Sequence, residues 1–319
     1  APDRGTGTTG LPPYLIFGLN ELQLRFDMRP LNRGDCTAVP GDVRAGVDPD
    51  STIDLSSAYR FTTLPNLAFF VGAGFPNTRM ADFSSTALVM PERPNAIELS
   101  AMLTLVGRLA ATVGHPATRI DVARPGGLAG VADRDLLVIG AAGRQPALTE
   151  LTRDRPVRVE GERINVSLPT PMQEFRNLFL ADDTIRDRAR LTTVLAGQGE
   201  GRGMLLGFES PLQAGRSVLA LTGTSPQAME GMLAALRDPA LAPRVQGDVA
   251  VLSAGRIEAF RTGNTYPSGR LPIWLWPQHY LGGRPDGILA LMLGAALLLA
   301  VPAYWMLRRR SASRLRAHS

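Results

Sequence analysis

The sequence predicts an α+β, multidomain chain: a partial β-sandwich, an alternating α/β domain, an interfacial segment and one membrane-spanning helix. Three observations carry this expectation. Apolar residues alternate at period two over residues 14–26, strand-like and helix-like patterns alternate over 93–262, and residues 287–307 contain no charge.

Residues 1–10 are rich in Gly and Thr and are expected to be flexible. Leu15, Phe17 and Leu19, then Leu22, Leu24 and Phe26, alternate with other residues as half-buried antiparallel strands do, with a turn at Gly18-Leu19-Asn20-Glu21. Residues 29–50 read as a polar loop carrying Cys36, and 51–55 as a further strand. These strands are too few to close a sandwich, so residues 1–92 read as the end of one that begins upstream. The chain opens Ala1-Pro2-Asp3 with neither an initiator Met nor a signal peptide, as expected of the C-terminal piece of a longer precursor. Cys36 is the sole cysteine, which leaves a buried thiol or one half of a bridge to residues outside this chain.

Residues 64–91 gather Phe69, Phe70, Phe75 and Phe83 around Gly72, Gly74 and Pro76. Two readings compete. The aromatics plug a seam between domains, or, with Arg79, they form a surface on which pyranose rings stack.

Residues 96–113 place Met102, Leu105, Val106, Leu109 and Val113 on one helical face, with Gly114 as the C-cap. Strands are predicted at 119–122, 135–140, 203–210, 216–223, 249–252 and 257–260, and helices at 173–180, 183–191 and 227–236. Ser225 and Pro226 supply the N-cap and first turn of the last helix. The alternation implies a doubly wound sheet over 93–262.

Neither Gly140-Ala141-Ala142-Gly143 nor Gly223-Thr224-Ser225 matches a nucleotide-binding fingerprint, and the Gly-rich residues 197–203 precede a strand rather than a helix. Asp182-Asp183 reads as a helix start. His115, His279 and His318 lack zinc-ligand spacing, and no nucleophile–base set or carboxylate pair assembles, so no catalytic, cofactor-binding or metal-binding residue is assigned. All 34 basic residues are arginine, a pattern of codon bias. Arg308, Arg309, Arg310, Arg314 and Arg316 by themselves match the net charge of +5, which leaves the remainder near neutral and excludes a nucleic-acid surface.

At about 1.5 Å per residue, the helix over 287–307 spans the roughly 30 Å hydrocarbon core. Tyr304 and Trp305 fall at an aromatic belt, and the arginines of 308–319 mark a cytoplasmic tail facing anionic lipid, which puts the preceding chain on the far side. Gly294, with Ala290, Ala295 and Ala296, permits close helix packing. Residues 263–286 form the juxtamembrane segment. Its Trp274, Trp276 and Tyr280 suit an interfacial element or a partner contact.

The run Leu64-Pro65-Asn66-Leu67 … Gly74-Phe75-Pro76-Asn77-Thr78-Arg79-Met80-Ala81-Asp82-Phe83-Ser84 … Val89-Met90-Pro91 resembles the LPDLxxF…GFPFTRxADLSxTxVVLP stretch of the bacterial cellulose synthase regulatory subunit family, BcsB. Gly18-Leu19-Asn20 with Leu22, Leu24, Phe26 and Cys36 is similar to that family too. Asn77 departs from it, standing where an aromatic is usual. The resemblance implies the end of a second jelly-roll, carbohydrate-binding-like domain, then a flavodoxin-like domain and the anchor. It also implies a non-catalytic periplasmic subunit of the inner membrane, fused in some bacteria to its catalytic partner, BcsA. Such a subunit supports that partner and guides the nascent glucan, with Phe69, Phe75 and Arg79 as candidate glucan contacts. Cyclic di-GMP, Mg and UDP-glucose are expected on the partner, and no cofactor in this chain. Membrane lipid and self-association of ectodomains complete the expected contacts. The competing readings are an anchored periplasmic hydrolase, with its site near Gly140, Phe208 and Gly223, and a scaffold without polymer contact.

Overall fold

The computed structural model describes residues 23–26, 31–33, 36–38, 46–52, 54, 61–167, 183–196, 201–277, 279 and 285–316. They form an α+β protein with a mixed sheet, divided into two compact units: residues 1–58 with 62–268, and residues 59–61 with 269–319.

The first unit opens with an antiparallel pair, β1 (Leu31–Arg33) and β2 (Cys36–Ala38), inside the stretch expected to be a polar loop. Only Gly34 and Asp35 separate the paired Arg33 and Cys36, the connection length that favours a hairpin. Residues 23–26 and Ser51, Thr52 and Asp54 carry no strand, contrary to expectation. Residues 14–22, which hold the first expected strand, the expected turn at 18–21 and the start of the second strand, lie outside the described residues, as do Tyr280 and the helix expected over 173–180. Strand β3 (Phe61–Leu64) pairs with β13 (Tyr266–Gly269).

The core is a seven-stranded sheet of β4 (Thr86–Val89), β5 (Asp121–Ala123), β6 (Asp135–Ile139), β9 (Gly203–Glu209), β10 (Ser217–Gly223), β11 (Val249–Ser253) and β12 (Arg256–Phe260). Its order is β12-β11-β9-β10-β6-β4-β5. Pairings β5–β4, β4–β6 and β6–β10 are parallel, whereas β10–β9, β9–β11 and β11–β12 are antiparallel. The wholly parallel sheet implied by the doubly wound reading is therefore corrected to a mixed one. The reason is loop length: residues 210–216 between β9 and β10, and Ala254-Gly255 between β11 and β12, are too short for a crossover, so each pair must fold back on itself. With β9 and β12 set aside, β5, β4, β6, β10 and β11 share one direction in the order 2-1-3-4-5 of a doubly wound sheet. Strand β4 belongs to this sheet although it precedes residue 93.

Helices cover both faces, which explains the near-continuous apolar strands. Leu137, Ile139, Leu219 and Leu221 point into a core with α1 (Leu67–Ala73), α2 (Ala96–Val113) and α5 (Pro226–Ala235). Their neighbours Leu136, Val138, Val218 and Ala220 point into a second core with α3 (Pro146–Leu151), the hairpin of β7 (Val157–Glu160) and β8 (Arg163–Val166), and α4 (Asp183–Ala196). Helix α2 starts on a capping box, Asn95 with Glu98, and ends on Gly114 at φ 73°. Arg108 of α2 donates to Leu236 O and Val71 O, tying it to its neighbours, and burial pulls its pKa down.

In the second unit, a short turn at Ile273–Leu275 precedes the 32-residue helix α6 (Pro285–Arg316). Among the described residues, α2 alone is long and apolar enough to cross a membrane by length and composition. It is a core helix, with Ala101, Leu105 and Leu109 buried.

Glycine substitutions separate close approach from open space. A Cβ at Gly203 would collide with Ala228 O and lie 2.6 Å from Met232 Cβ, whereas at Gly231 its nearest neighbour is Leu252 Cδ2 at 3.6 Å. Gly203→Ala should cost more than about 2 kcal/mol. Gly231→Ala, inside α5, should stabilise by about 0.5–1 kcal/mol. Urea denaturation of the two variants checks the opposite signs.

Candidate functional site

The segment Gly74-Phe75-Pro76-Asn77-Thr78-Arg79 follows α1, which Asn66 caps by accepting from Ala68 N and which Gly74 ends at φ 70°. A Cβ on Gly74 would lie 2.5 Å from Thr78 Cγ2 and 2.6 Å from Leu109, so only glycine fits this turn. Thr78 Oγ1 donates to Ala73 O at 2.8 Å, closing the loop on itself. Arg79 then reaches the start of β6, where its Nε lies 3.2 Å from Asp135 Oδ2, its Nη2 donates to Ser268 Oγ, and its guanidinium sits 5.3 Å from the Phe75 ring centre.

Asp135 is fully buried. Its Oδ1 accepts from Ser217 N at 2.9 Å, and Arg216 Nη1 lies 3.7 Å from Oδ2. Burial pushes the Asp135 carboxyl up, and Arg79, Ser217 N and Arg216 oppose that shift. Ser217 Oγ shares a 2.6 Å hydrogen bond with the Tyr266 hydroxyl, whose pKa burial raises above its ordinary 10.0. At the other end of the motif, hydrogen bonds from Ser84 hold Asp82 below the ordinary carboxylate range, aided by Arg119. Phe83 is fully buried at φ 63°, a conformation that costs an aromatic residue free energy and that the packing around it enforces. The motif's charged groups are thus engaged with the protein itself. Of the candidate glucan contacts, Phe75 and Arg79 lie in this cluster and Phe69 is half-buried on α1. Asn77 is fully buried, with both side-chain polar atoms unpartnered among the described residues.

The switch point of the parallel strands falls between the ends of β4 and β6, where doubly wound sheets hold ligands. Here the fully buried Gln145 donates from Nε2 to Val89 O at 3.1 Å and Ile139 O at 2.9 Å. A Cβ at Gly140 would lie 2.9 Å from Gln145 Cβ and 3.0 Å from Pro91 Cγ. At the start of α2, Glu98 occupies the place an anion would take, accepting from Asn95 N and pairing with Arg144 at 3.0 Å. The crevice is filled by the chain's own side chains.

A cleft of about 280 Å³ opens elsewhere, at the C-terminal end of β9. Phe208 and Glu209 of β9, Asp154 and Arg155 after α3, and Thr262 to Tyr266 line it. Asp248 anchors its wall, accepting from Thr262 N at 2.7 Å and Gly263 N at 2.6 Å, and burial pushes its carboxyl up. Of these residues the sequence singles out Phe208, as a strand end near the site of the competing hydrolase reading, which placed it with Gly140 and Gly223 rather than with Asp154, Arg155 and Asn264. Residues from loops separated by about a hundred positions give no local signal.

In the second unit, Phe61, Trp276 and His279 stack edge to face, with ring centres 4.8–6.1 Å apart. Trp274 is 71% exposed and Ile273 81% exposed. On α6 the described side chains of 292–308 are all exposed, among them Leu293, Leu297, Leu298, Leu299 and Trp305. Gly294 has no atom near a would-be Cβ.

The family model for the second FD domain of cellulose synthase BcsB matches residues 60–221. "Cellulose synthase 2" of Novacetimonas hansenii is 37% identical over 306 residues, which is 96% of this chain and 19% of that protein. "Cyclic di-GMP-binding protein" of Komagataeibacter xylinus is 32% identical over 95% of this chain and 38% of the relative, and the protein of that name from Xanthomonas axonopodis pv. citri is 36% identical over 95% and 39%. The chain thus spans between about a fifth and two fifths of the length of these relatives.

Two substitutions probe the buried cluster. Arg79→Met leaves Asp135 without its nearest cation and should cost about 2–3 kcal/mol in chemical denaturation, less than a fully buried pair because Arg79 is partly exposed. Tyr266→Phe removes the Ser217 bond and should cost about 1–2 kcal/mol. Because the folded pKa of Tyr266 lies above 10.0, the native state keeps a proton that the unfolded chain releases, so stability falls as pH rises above that value. Tyr266→Phe should lack that alkaline component, as denaturation midpoints on either side of pH 10.0 would reveal.

Proposed function

The chain belongs to the cellulose synthase BcsB family, and from that premise we propose that it is a non-catalytic, membrane-anchored accessory piece of a cellulose synthase. In this reading residues 60–262, with α1 and β4 included, form a flavodoxin-like domain, the residues before 60 end a jelly-roll domain, and α6 anchors both to the inner membrane. The folded domain faces the periplasm, supports the catalytic subunit BcsA, and guides the glucan that emerges from it. UDP-glucose, Mg and cyclic di-GMP act on the catalytic side, which in relatives such as the Novacetimonas protein named cellulose synthase 2 would lie on the same chain.

The observation that carries the reading is the extent of the family match, about 95% of the chain against relatives named for cellulose synthesis or cyclic di-GMP binding. Two features of the molecule support it. The described side chains of α6 expose leucine, valine and aromatic surface, and an apolar helix of that kind is stable when lipid or a partner helix covers it. The switch-point crevice, where an enzyme of this topology would hold substrate, contains Gln145 and Pro91 instead. An accessory role needs no crevice there.

In the proposed arrangement Trp274, Trp276 and Tyr280 lie at the headgroup level, and Gly294 and Trp305 face the partner's helices or the interface. Ectodomains associate with copies of themselves. Deleting residues 271–319 should abolish glucan synthesis when the truncated chain is reconstituted with the catalytic subunit in proteoliposomes and incorporation of labelled glucose is measured. Undiminished incorporation would overturn the anchor-mediated role.

A further inference from the structure

The cleft at the end of β9 has the composition of a saccharide site. Phe208 supplies a half-buried aromatic wall, and Arg155 lies 5.8 Å from its ring centre, held there by donation from Nη2 to Glu209 O at 2.7 Å. The other N–H groups of that guanidinium are uncommitted among the described residues, and so are the side chains of Asp154, Asn264 and Thr265. The site therefore offers an aromatic ring with the Arg155 guanidinium over it, beside donors and acceptors of both kinds. A pyranose presents the complement: C–H groups on its faces and hydroxyls around its rim. The volume, about 280 Å³, equals roughly nine waters at ~30 Å³ each, enough for a hexose unit with part of its neighbour.

Charge decides against the other ligand class that relatives' names raise. Cyclic di-GMP carries two phosphodiester charges and needs cations to hold them. The residues lining this cleft include three carboxylates, Asp154, Glu209 and Asp248, against the single guanidinium of Arg155. A dianion would meet net repulsion, whereas a neutral polyol would not.

We propose that the cleft formed by Phe208, Arg155, Asp154, Asn264 and Thr265 binds a neutral β-linked glucan segment, one sugar ring packing against the Phe208–Arg155 pair. This rests on the reading of the chain as a cellulose synthase accessory piece, and it moves the polymer contact from Phe69, Phe75 and Arg79 to a different part of the sheet. Asp248 is a positioning residue. By accepting from Thr262 N and Gly263 N it fixes the loop that carries Asn264 and Thr265.

The test is calorimetric titration of cellohexaose into the full chain in detergent micelles, with cyclic di-GMP as a second titrant. Phe208→Ala should weaken cellohexaose binding about ten-fold or more. Asn264→Ala, an exposed change that leaves the fold intact, should weaken it about three-fold. Cyclic di-GMP should not compete. Circular dichroism of each variant separates loss of the site from loss of fold. Affinity unchanged in both variants, no saturable cellohexaose binding by the parent chain, or displacement by cyclic di-GMP would each overturn the proposal. Glucan synthesis that survives with the catalytic subunit while cellohexaose fails to bind would remove the cleft alone. Failure of the truncation experiment would count against the accessory role and leave the cleft's affinity as its own result.

Discussion

The buried carboxylate of Asp135 is the constraint from which much of the first unit follows. A charge without solvent exposure is costly unless paired, and Asp135 sits at the first position of a strand buried on both faces. Two distant segments answer that need: Arg79 from the loop after α1, and Arg216 with Ser217 N from the start of β10. Because β6 lies between β4 and β10, the same interaction sets where the glycine-rich loop meets the sheet. Arg79 and Ser217 then reach β13 through Ser268 and Tyr266. The most family-specific stretch of the sequence is in this light a fastening, with its arginine and aspartate turned to internal partners.

That placement bears on where function resides. Doubly wound sheets commonly bind ligands at the switch point, because strand order reverses there and leaves a gap. In this chain the gap holds Gln145, whose amide bridges the ends of β4 and β6, while Glu98 neutralises the start of α2. The topology persists while its usual site is closed. At the C-terminal end of the antiparallel strand β9, inserted between β10 and β11, the loops after α3 and β12 instead converge on Phe208. A departure from the parallel plan thus made a concavity elsewhere.

Much of this was legible in the sequence, for identifiable reasons. Helix α2 carried its own C-cap signal, Gly114, and α5 its own start at Ser225 and Pro226, so both were read within a residue or two, whereas the Asn95 capping box emerged only in the structure. The strands β6, β10 and β11 were visible as apolar runs because both faces are buried. Helix α1 and strand β4 were hidden inside an aromatic-rich stretch whose residues suggested either a seam or a sugar surface. Seven residues of helix and four of strand are too short for periodicity to separate.

The sequence alone determined what depends on local chemistry: the α+β class, the positions of the long elements, the apolar C-terminal helix with its arginine tail, and a family motif specific enough to name. It could not determine strand direction in the second half of the sheet, the partners of Arg79, or the identity of the cleft. Direction was decided by connections too short to cross over, and the Asp135 cluster by contacts between residues 56 and 82 positions apart. The cleft exists only because β9 inserts between strands and brings Asp154, Phe208 and Asn264 to one rim. Pairing over such separations is chosen by burial and charge in the folded chain, and those terms exist only once the tertiary structure has formed.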